Sequence, residues 1–354
     1  MRCCTMVRCL VCDDSALMRQ LISRILREHG IEVVGLARNG EEAVEAVLQR
    51  QPDVVTLDIE MPIMSGLEAL TRIMELRPTP VVVLSHLTAK EAPASVEALA
   101  RGAVDVMQKP RTALDSRGLS RWGVELALKV KVAAMARPKP VPASKARQQT
   151  RAGAVARAMG GHHRPLVIVG ASTGGPAALC ELFAVLDPAL LPVPLLVVQH
   201  MPAGFTRSLA ERLDSLSAFR VREAAPGDRL VPGEALLAPG GAHLVLRADG
   251  RSVDLSTAPP RHHVRPAVDV TLESAAAVYP DPIVAVILTG MGSDGAAGVR
   301  LIRQRGGRAI VQDESTCVVY GMPRAVAEAG DADLICPLGE IAPALIQTVT
   351  VLSR

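Results

Sequence analysis

Five short apolar runs separated by amphipathic helical patterns fill residues 6 to 109, and this alternation limits the fold more than any other feature. Met6 to Cys12 is mostly apolar and is followed by Leu17, Met18, Leu21, Ile22 and Ile25 at helical spacing. Ile31 to Ala37, Val54 to Leu57, Val81 to Leu84 and Val104 to Met107 supply the other four runs. Runs so short and so apolar are buried on both faces, which a parallel sheet with crossover helices achieves. The pattern predicts a doubly wound, five-stranded parallel α/β domain over residues 1–136, closed by a helix from Leu119 to Ala136.

The pattern stops at Arg137. From there to Arg164 the chain has three prolines before Ala143, seven Lys or Arg and no acid. With no sustained apolar period, 137–164 reads as a self-repelling tether. From residue 165 to 354 α/β character resumes. Candidate strands are Leu166 to Val169, Leu195 to Gln199, Ile283 to Leu288, Arg308 to Val311 and Leu334 to Cys336. Leu244 to Leu246 and Ser252 to Leu255, around Asp249-Gly250, read as a β-hairpin. A second α/β domain with a mostly parallel sheet and one hairpin is expected.

The 354 residues suffice for two domains, and 49% hydrophobic content supports two cores. Aromatics at 2% leave few platforms for stacking bases, and a net charge of +3 argues for neither nucleic acid nor membrane. No apolar run approaches the roughly 20 residues of a membrane span. No secretory signal is evident at the start. The seven cysteines are scattered, and Cys9 and Cys12, three apart on a predicted strand, point to opposite faces and cannot share one ion. Free thiols in a reducing cytoplasm are expected.

Asp13 and Asp14 end the first predicted strand, Asp58 the third, Ser85 the fourth and Lys109 the fifth. In an open parallel sheet those ends converge on one crevice, where ligands bind. Three crowded carboxylates repel unless a hard cation such as Mg²⁺ joins them. The Ser85 hydroxyl and Lys109 ammonium suit the oxygens of a phosphorylated carboxylate. Any one of these residues alone could be a strand-end cap; five at four strand ends favour a site. Asp13-Asp14-Ser15, Asp58-Ile59-Glu60-Met61-Pro62, Ser85 and Lys109-Pro110 resemble a two-component receiver domain. The resemblance implies phosphoryl transfer from a histidine kinase to Asp58, with Mg²⁺ held by Asp13, Asp14, Asp58 and the Glu60 carbonyl. Receivers usually carry an aromatic switch residue three before the lysine; this chain has Val106.

In the second half, Leu166 to Val169 runs into Gly170-Ala171-Ser172-Thr173-Gly174-Gly175-Pro176 and then a helix. G-x-S-x-G presents a serine nucleophile at a strained strand-to-helix turn, yet the same glycines suit a dinucleotide phosphate. A dinucleotide site needs an acid at the end of the next strand. That strand ends in Gln199-His200-Met201-Pro202, with a histidine where the acid belongs. His200 is the candidate base, since a serine hydroxyl needs one at neutral pH. Asp294, in Gly292-Ser293-Asp294-Gly295 after another apolar strand, is the candidate for orienting it. His243, His262 and His263 are rival bases that read as surface residues of the hairpin or loops. Asp269, within a predicted helix, and Asp313 are rival acids.

Gly170 to Gly175, Gln199-His200-Met201-Pro202, Thr289-Gly290-Met291-Gly292-Ser293-Asp294-Gly295 and Tyr320-Gly321-Met322-Pro323 resemble the catalytic domain of chemotaxis protein-glutamate methylesterases. A receiver joined to that domain is the family's full-length arrangement. Val264-Arg265-Pro266 departs from the family's frequent His-Arg-Pro, which should touch the substrate rim. The resemblance implies a phosphorylation-activated serine hydrolase that demethylates glutamate methyl esters on chemoreceptors and deamidates specific receptor glutamines. It implies Ser172 as nucleophile, His200 as base, Asp294 as its partner, and no cofactor for ester hydrolysis. Backbone amides near Thr173 and Met291 would hold the oxyanion, and the receiver would restrain the catalytic domain until Asp58 is phosphorylated. Two other classes compete: a nucleotide-binding module under phosphorylation control, and a transcription regulator, which the absence of a helix-turn-helix pattern weakens.

Overall fold

Every strand of the first unit pairs in parallel, in the order β2-β1-β3-β4-β5. These are β1 (Arg8–Cys12), β2 (Glu32–Ala37), β3 (Val54–Asp58), β4 (Val81–Ser85) and β5 (Asp105–Gln108), alternating with α1 (Ala16–Glu28), α2 (Gly40–Arg50), α3 (Gly66–Leu76), α4 (Glu91–Ala100) and α5 (Ser116–Ala133). The computed structural model describes residues 6–86, 91–110, 116–136 and 164–354. The tether expected at 137–164 lies outside them, apart from Arg164. The chain divides into two compact units between Ser144 and Lys145.

β3 and β4 are buried at every residue, as strands covered on both faces must be. Cys9 and Cys12 lie buried in β1, and burial pushes the Cys9 thiol up to about 12. Side chains set where helices begin. Ser15 caps α1 by accepting from the Met18 amide, and Ser65 with Glu68 forms a reciprocal capping box on α3. Each such cap stabilises by about 1 kcal/mol. A Cβ at Gly66 would fall 1.9 Å from the Asp58 carbonyl oxygen, so glycine lets α3 start against the end of β3. The strand order reverses direction between β1 and β3, which puts Asp13 and Asp58 at the switch point.

The second unit holds β6 (Leu166–Ala171), α6 (Gly175–Val185), β7 (Leu195–Gln199), α7 (Phe205–Leu216), β8 (Arg220–Glu223) and β9 (Glu234–Leu237), then β10 (His243–Leu246), β11 (Val253–Ser256) and α8 (Val268–Val278). It ends with β12 (Ile283–Ile287), α9 (Ala296–Gln304), β13 (Arg308–Gln312), α10 (Met322–Glu328), β14 (Leu334–Cys336) and α11 (Leu338–Leu352). Seven strands form one parallel sheet, β14-β13-β12-β6-β7-β9-β8. β8 and β9 are additions to the sequence expectation. β8 reads Arg-Val-Arg-Glu and carries one buried apolar side chain, Val221; its arginines pair with Glu234 and Asp228 instead. An edge strand so charged has no apolar run to reveal it.

β10 and β11 form the expected antiparallel hairpin, from His243 opposite Ser256 to Leu246 opposite Val253. Asp249 accepts from the Arg251 and Ser252 amides in the connection, which spans residues 247–252 rather than two residues. Leu244, Leu246 and Val253 of the hairpin join Val268 and Leu272 of α8 and Ile168, Leu196 and Ile287 of the sheet in one buried cluster. At about 1.5–3 kcal/mol per buried large aliphatic side chain, this cluster holds α8 against the sheet.

Candidate active site

β6 lies between β7 and β12 at the centre of the second sheet, and the carboxyl ends of these three strands carry the candidate residues. Ala171 pairs with Gln199 and Gly170 with Ile287, so Ser172 and His200 follow matched positions on adjacent strands, about 4.8 Å apart. The Ser172 amide donates to the Thr289 carbonyl at 3.0 Å, and the His200 amide to the Ala171 carbonyl at 3.1 Å. Gln199, 1% exposed, reaches across with Nε2 to the carbonyls of Ser172 at 2.9 Å and His200 at 3.2 Å. Thr289 Oγ1 donates to the Thr173 carbonyl at 3.0 Å. A Cβ at Gly290 would lie 2.8 Å from the Ser172 Cβ, so glycine lets the turn after β12 pass the serine. α6 begins after Gly174 without a capping side chain, and its positive end adjoins the Ser172 turn.

His200 Nε2 donates to Asp294 Oδ2 at 2.8 Å. That leaves Nδ1 as the ring nitrogen able to take a proton. Asp294, 2% exposed, also accepts from the amides of Val268 at 2.6 Å and Asp269 at 2.9 Å. α8 has no side chain of its own at its N-cap, Ala267, so Asp294 caps it from a distant turn. Burial works against the Asp294 charge. The hydrogen bond and charge of His200 and the Asp269 and Val268 amides outweigh it, holding the carboxyl below its ordinary range. Ser172 and His200 stand at adjacent strand ends; a hydrogen bond between nucleophile and base is often loose before substrate binds.

At the switch point of the first unit, carboxylate oxygens of Asp13, Asp14 and Asp58 lie within 4.8 Å of one another. Lys109 Nζ sits 2.8 Å from Asp13 Oδ2 and 2.7 Å from Asp58 Oδ2. Burial pushes the Asp58 carboxyl up to about 6; Lys109 pulls it down, and Asp13 and Asp14 push it further up. Asp13 Oδ2 is buried and, although ion-paired, has no aligned hydrogen-bond donor. A buried anionic oxygen beside two more carboxylates fits a hard divalent cation. Glu60 follows Asp58 by two residues, in the loop before α3. Ser85 Oγ donates to Glu91 Oε2 at 2.9 Å, and the same oxygen accepts from the His86 amide at 2.7 Å. Val106 is buried in β5.

Residues 167–345 match the family model for CheB methylesterase, and residues 9–116 match that for the response regulator receiver domain. Over 354 aligned residues the chain is 49% identical to a Symbiobacterium thermophilum protein named protein-glutamate methylesterase/protein-glutamine glutaminase, covering 97% of each. The chain belongs to the CheB methylesterase family. A relative of the same name from Thermotoga maritima is 42% identical over 97% of this chain and 98% of its own. The crystal structure of the Thermotoga maritima CheB methylesterase catalytic domain matches with a TM-score of 0.50 at 46% identity, covering 52% of this chain and 98% of that one.

Within this member of the CheB methylesterase family the rival residues take other places. His243, expected at the surface, is fully buried on β10; Nδ1 accepts from the Ala267 amide at 3.1 Å and Nε2 faces the Pro259 carbonyl at 3.2 Å. Packing of β10 against α8 covers it. Asp313 accepts from Ser315 and Thr316 in its own turn. His262 and His263 are exposed, with His262 bonded to Asp269. Sequence reasoning missed Gln199 as a clamp, having quoted it only as a strand end and part of the family motif, and missed Glu91, which no local pattern ties to Ser85.

Proposed function

We propose that this chain is a phosphorylation-activated protein-glutamate methylesterase and protein-glutamine glutaminase of chemoreceptors, with its chemistry carried by Ser172, His200 and Asp294. The observation that carries this reading is the His200–Asp294 bond at 2.8 Å on the strand end beside Ser172. Ser172 Oγ attacks the carbonyl carbon of a γ-glutamyl methyl ester while His200 Nδ1 takes the hydroxyl proton. Asp294 holds the other ring nitrogen and stabilises the imidazolium. The amides of Thr173 and Met291 and the positive end of α6 receive the developing oxyanion. Collapse breaks the ester C–O bond, and His200 returns the proton to the departing methanol. Water, deprotonated by His200, then attacks the acyl-serine and frees the glutamate. A glutamine side chain follows the same path with ammonia leaving.

The receiver is assigned to residues 1–136, the tether to 137–164 and the catalytic domain to 165–354. A histidine kinase supplies the phosphoryl group to Asp58, and Lys109 pairs with its oxygens. Asp13, Asp14, Asp58 and the Glu60 carbonyl would hold Mg²⁺, which when bound offsets the negative charge of the phosphoryl group. No described helix is long and apolar enough to cross a membrane. The cytoplasm as the place of work is part of the proposal.

The direct test is methanol release from a methylated receptor fragment, with and without a small phosphodonor. Stimulation should disappear in Asp58→Asn while basal release persists; stimulation surviving in that variant would remove Asp58 from the scheme. Glu91 supplies a finer test. A phosphoryl group must compete with this buried carboxylate for the Ser85 hydroxyl. Glu91→Ala should therefore reach half-maximal stimulation at about fivefold lower phosphodonor, the equivalent of about 1 kcal/mol for one released hydrogen bond. An unmoved titration counts against Ser85 as a phosphoryl contact.

A further inference from the structure

Asp294 shares its place with a second buried carboxylate. Asp269, in the first turn of α8, is fully buried, and its amide donates to Asp294 Oδ1. Asp269 Oδ1 in turn accepts from the Gly298 amide at 2.7 Å, in the first turn of α9. Asp294 stands just before α9 and caps α8; Asp269 stands inside α8 and bonds the start of α9. Two negative charges fixed this way repel each other unless a donor answers one of them.

His262 is that donor. Its Nε2 lies 2.8 Å from Asp269 Oδ2 and 3.9 Å from Asp294 Oδ1. The loop that delivers it is strained, with φ of +52° at His262 and +64° at His263, values that side chains other than glycine rarely adopt. Arg261, ion-paired to Glu273 of α8, adds positive charge near both carboxylates, and His200 faces Asp294 from β7.

We propose that His262 and Asp269 are positioning residues that hold the Asp294 carboxylate in the orientation His200 requires. The proposal rests on the reading of Ser172, His200 and Asp294 as the catalytic set. With His262 in place, Asp269 stays a hydrogen-bond acceptor and Asp294 gives its charge to His200. Without it, the donor that fixes Asp269 Oδ2 and lies 3.9 Å from Asp294 Oδ1 is gone, and the carboxylate that orients the imidazole is free to turn. Burial already pushes the Asp269 carboxyl up, with the Gly298 amide and His262 opposing and Asp294 reinforcing, so the loss of His262 acts in that direction.

The test uses the full chain with saturating small phosphodonor and a methylated receptor fragment. His262→Ala should lower kcat by about tenfold with KM unchanged, the scale for groups that act by orienting a functional histidine. His262→Gln keeps an N–H donor of similar reach and should recover most of that loss. The low-field proton resonance of the His200–Asp294 bond should move in His262→Ala and stay in His262→Gln. If the alanine protein fails to fold, Asp269→Asn, which can still accept from Gly298, carries the same expectation for kcat and resonance. A His262→Ala kcat within about twofold of wild type, or a glutamine variant as impaired as the alanine one, overturns the proposal. An inactive His200→Ala protein in that case leaves the catalytic reading standing; an active one removes the reading and the proposal together.

Discussion

Ser172→Ala should release methanol from a methylated receptor fragment about 10⁶-fold more slowly than wild type, with KM little changed. The substitution deletes one oxygen and leaves the backbone where it was. The amide of residue 172 still donates to Thr289, and its carbonyl still accepts from Gly175 at 2.7 Å and from Gln199. The candidate oxyanion amides and the His200–Asp294 pair persist, so a residue of catalysis about 10³–10⁴ above water should survive. A loss of 10⁶ corresponds to about 8 kcal/mol of barrier, too large for a packing defect at a partly exposed side chain. A fluorophosphonate probe gives the companion measurement: it should label wild type at Ser172 and spare Ser172→Ala. Turnover near wild type in the variant, or labelling elsewhere, ends the serine mechanism.

That Ser172, His200 and Asp294 could be proposed from the sequence follows from where they sit. Ser172 and His200 directly follow short apolar strands and Asp294 lies in the glycine-rich turn after another, so strand, turn and residue type lie within about ten positions of one another. The receiver carboxylates and Lys109 were legible for the same reason. What escaped notice depends on contacts between distant segments. Asp294 caps α8 across 26 residues of chain, Glu91 takes the Ser85 hydroxyl, and the Gln199 carboxamide spans two turns. No local period encodes such pairs. β8 escaped because ion pairs, not burial, hold that edge. His243 was misplaced because α8 covers a hairpin that in isolation would have an open face.

The same cross-chain contacts make Asp294→Asn the second large loss, about 10⁴ in kcat. Asparagine fills the aspartate's volume but exchanges one acceptor for a donor. Both oxygens of Asp294 are committed: Oδ2 to His200 and the Val268 amide, Oδ1 to the Asp269 amide. If the new amide group faces His200, Nε2 must accept, the ring proton moves to Nδ1, and Nδ1 can no longer take the serine proton. In either place two N–H donors meet in a buried space, at the Val268 amide beside His200 or at the Asp269 amide, costing about 1–3 kcal/mol of stability. Neither orientation restores the negative charge that stabilises the imidazolium. Raising the pH cannot restore it, because an amide does not ionise, whereas the native carboxyl is held below its ordinary range and stays charged through neutrality. Steady-state kcat on the receptor fragment is the measurement, with Ser172→Ala/Asp294→Asn as the control. If the two residues work as one unit, the double variant should be no slower than Ser172→Ala alone. A single-variant loss below about tenfold would shift the orienting role to another acid, and Asp269 is the one in reach of the same helix.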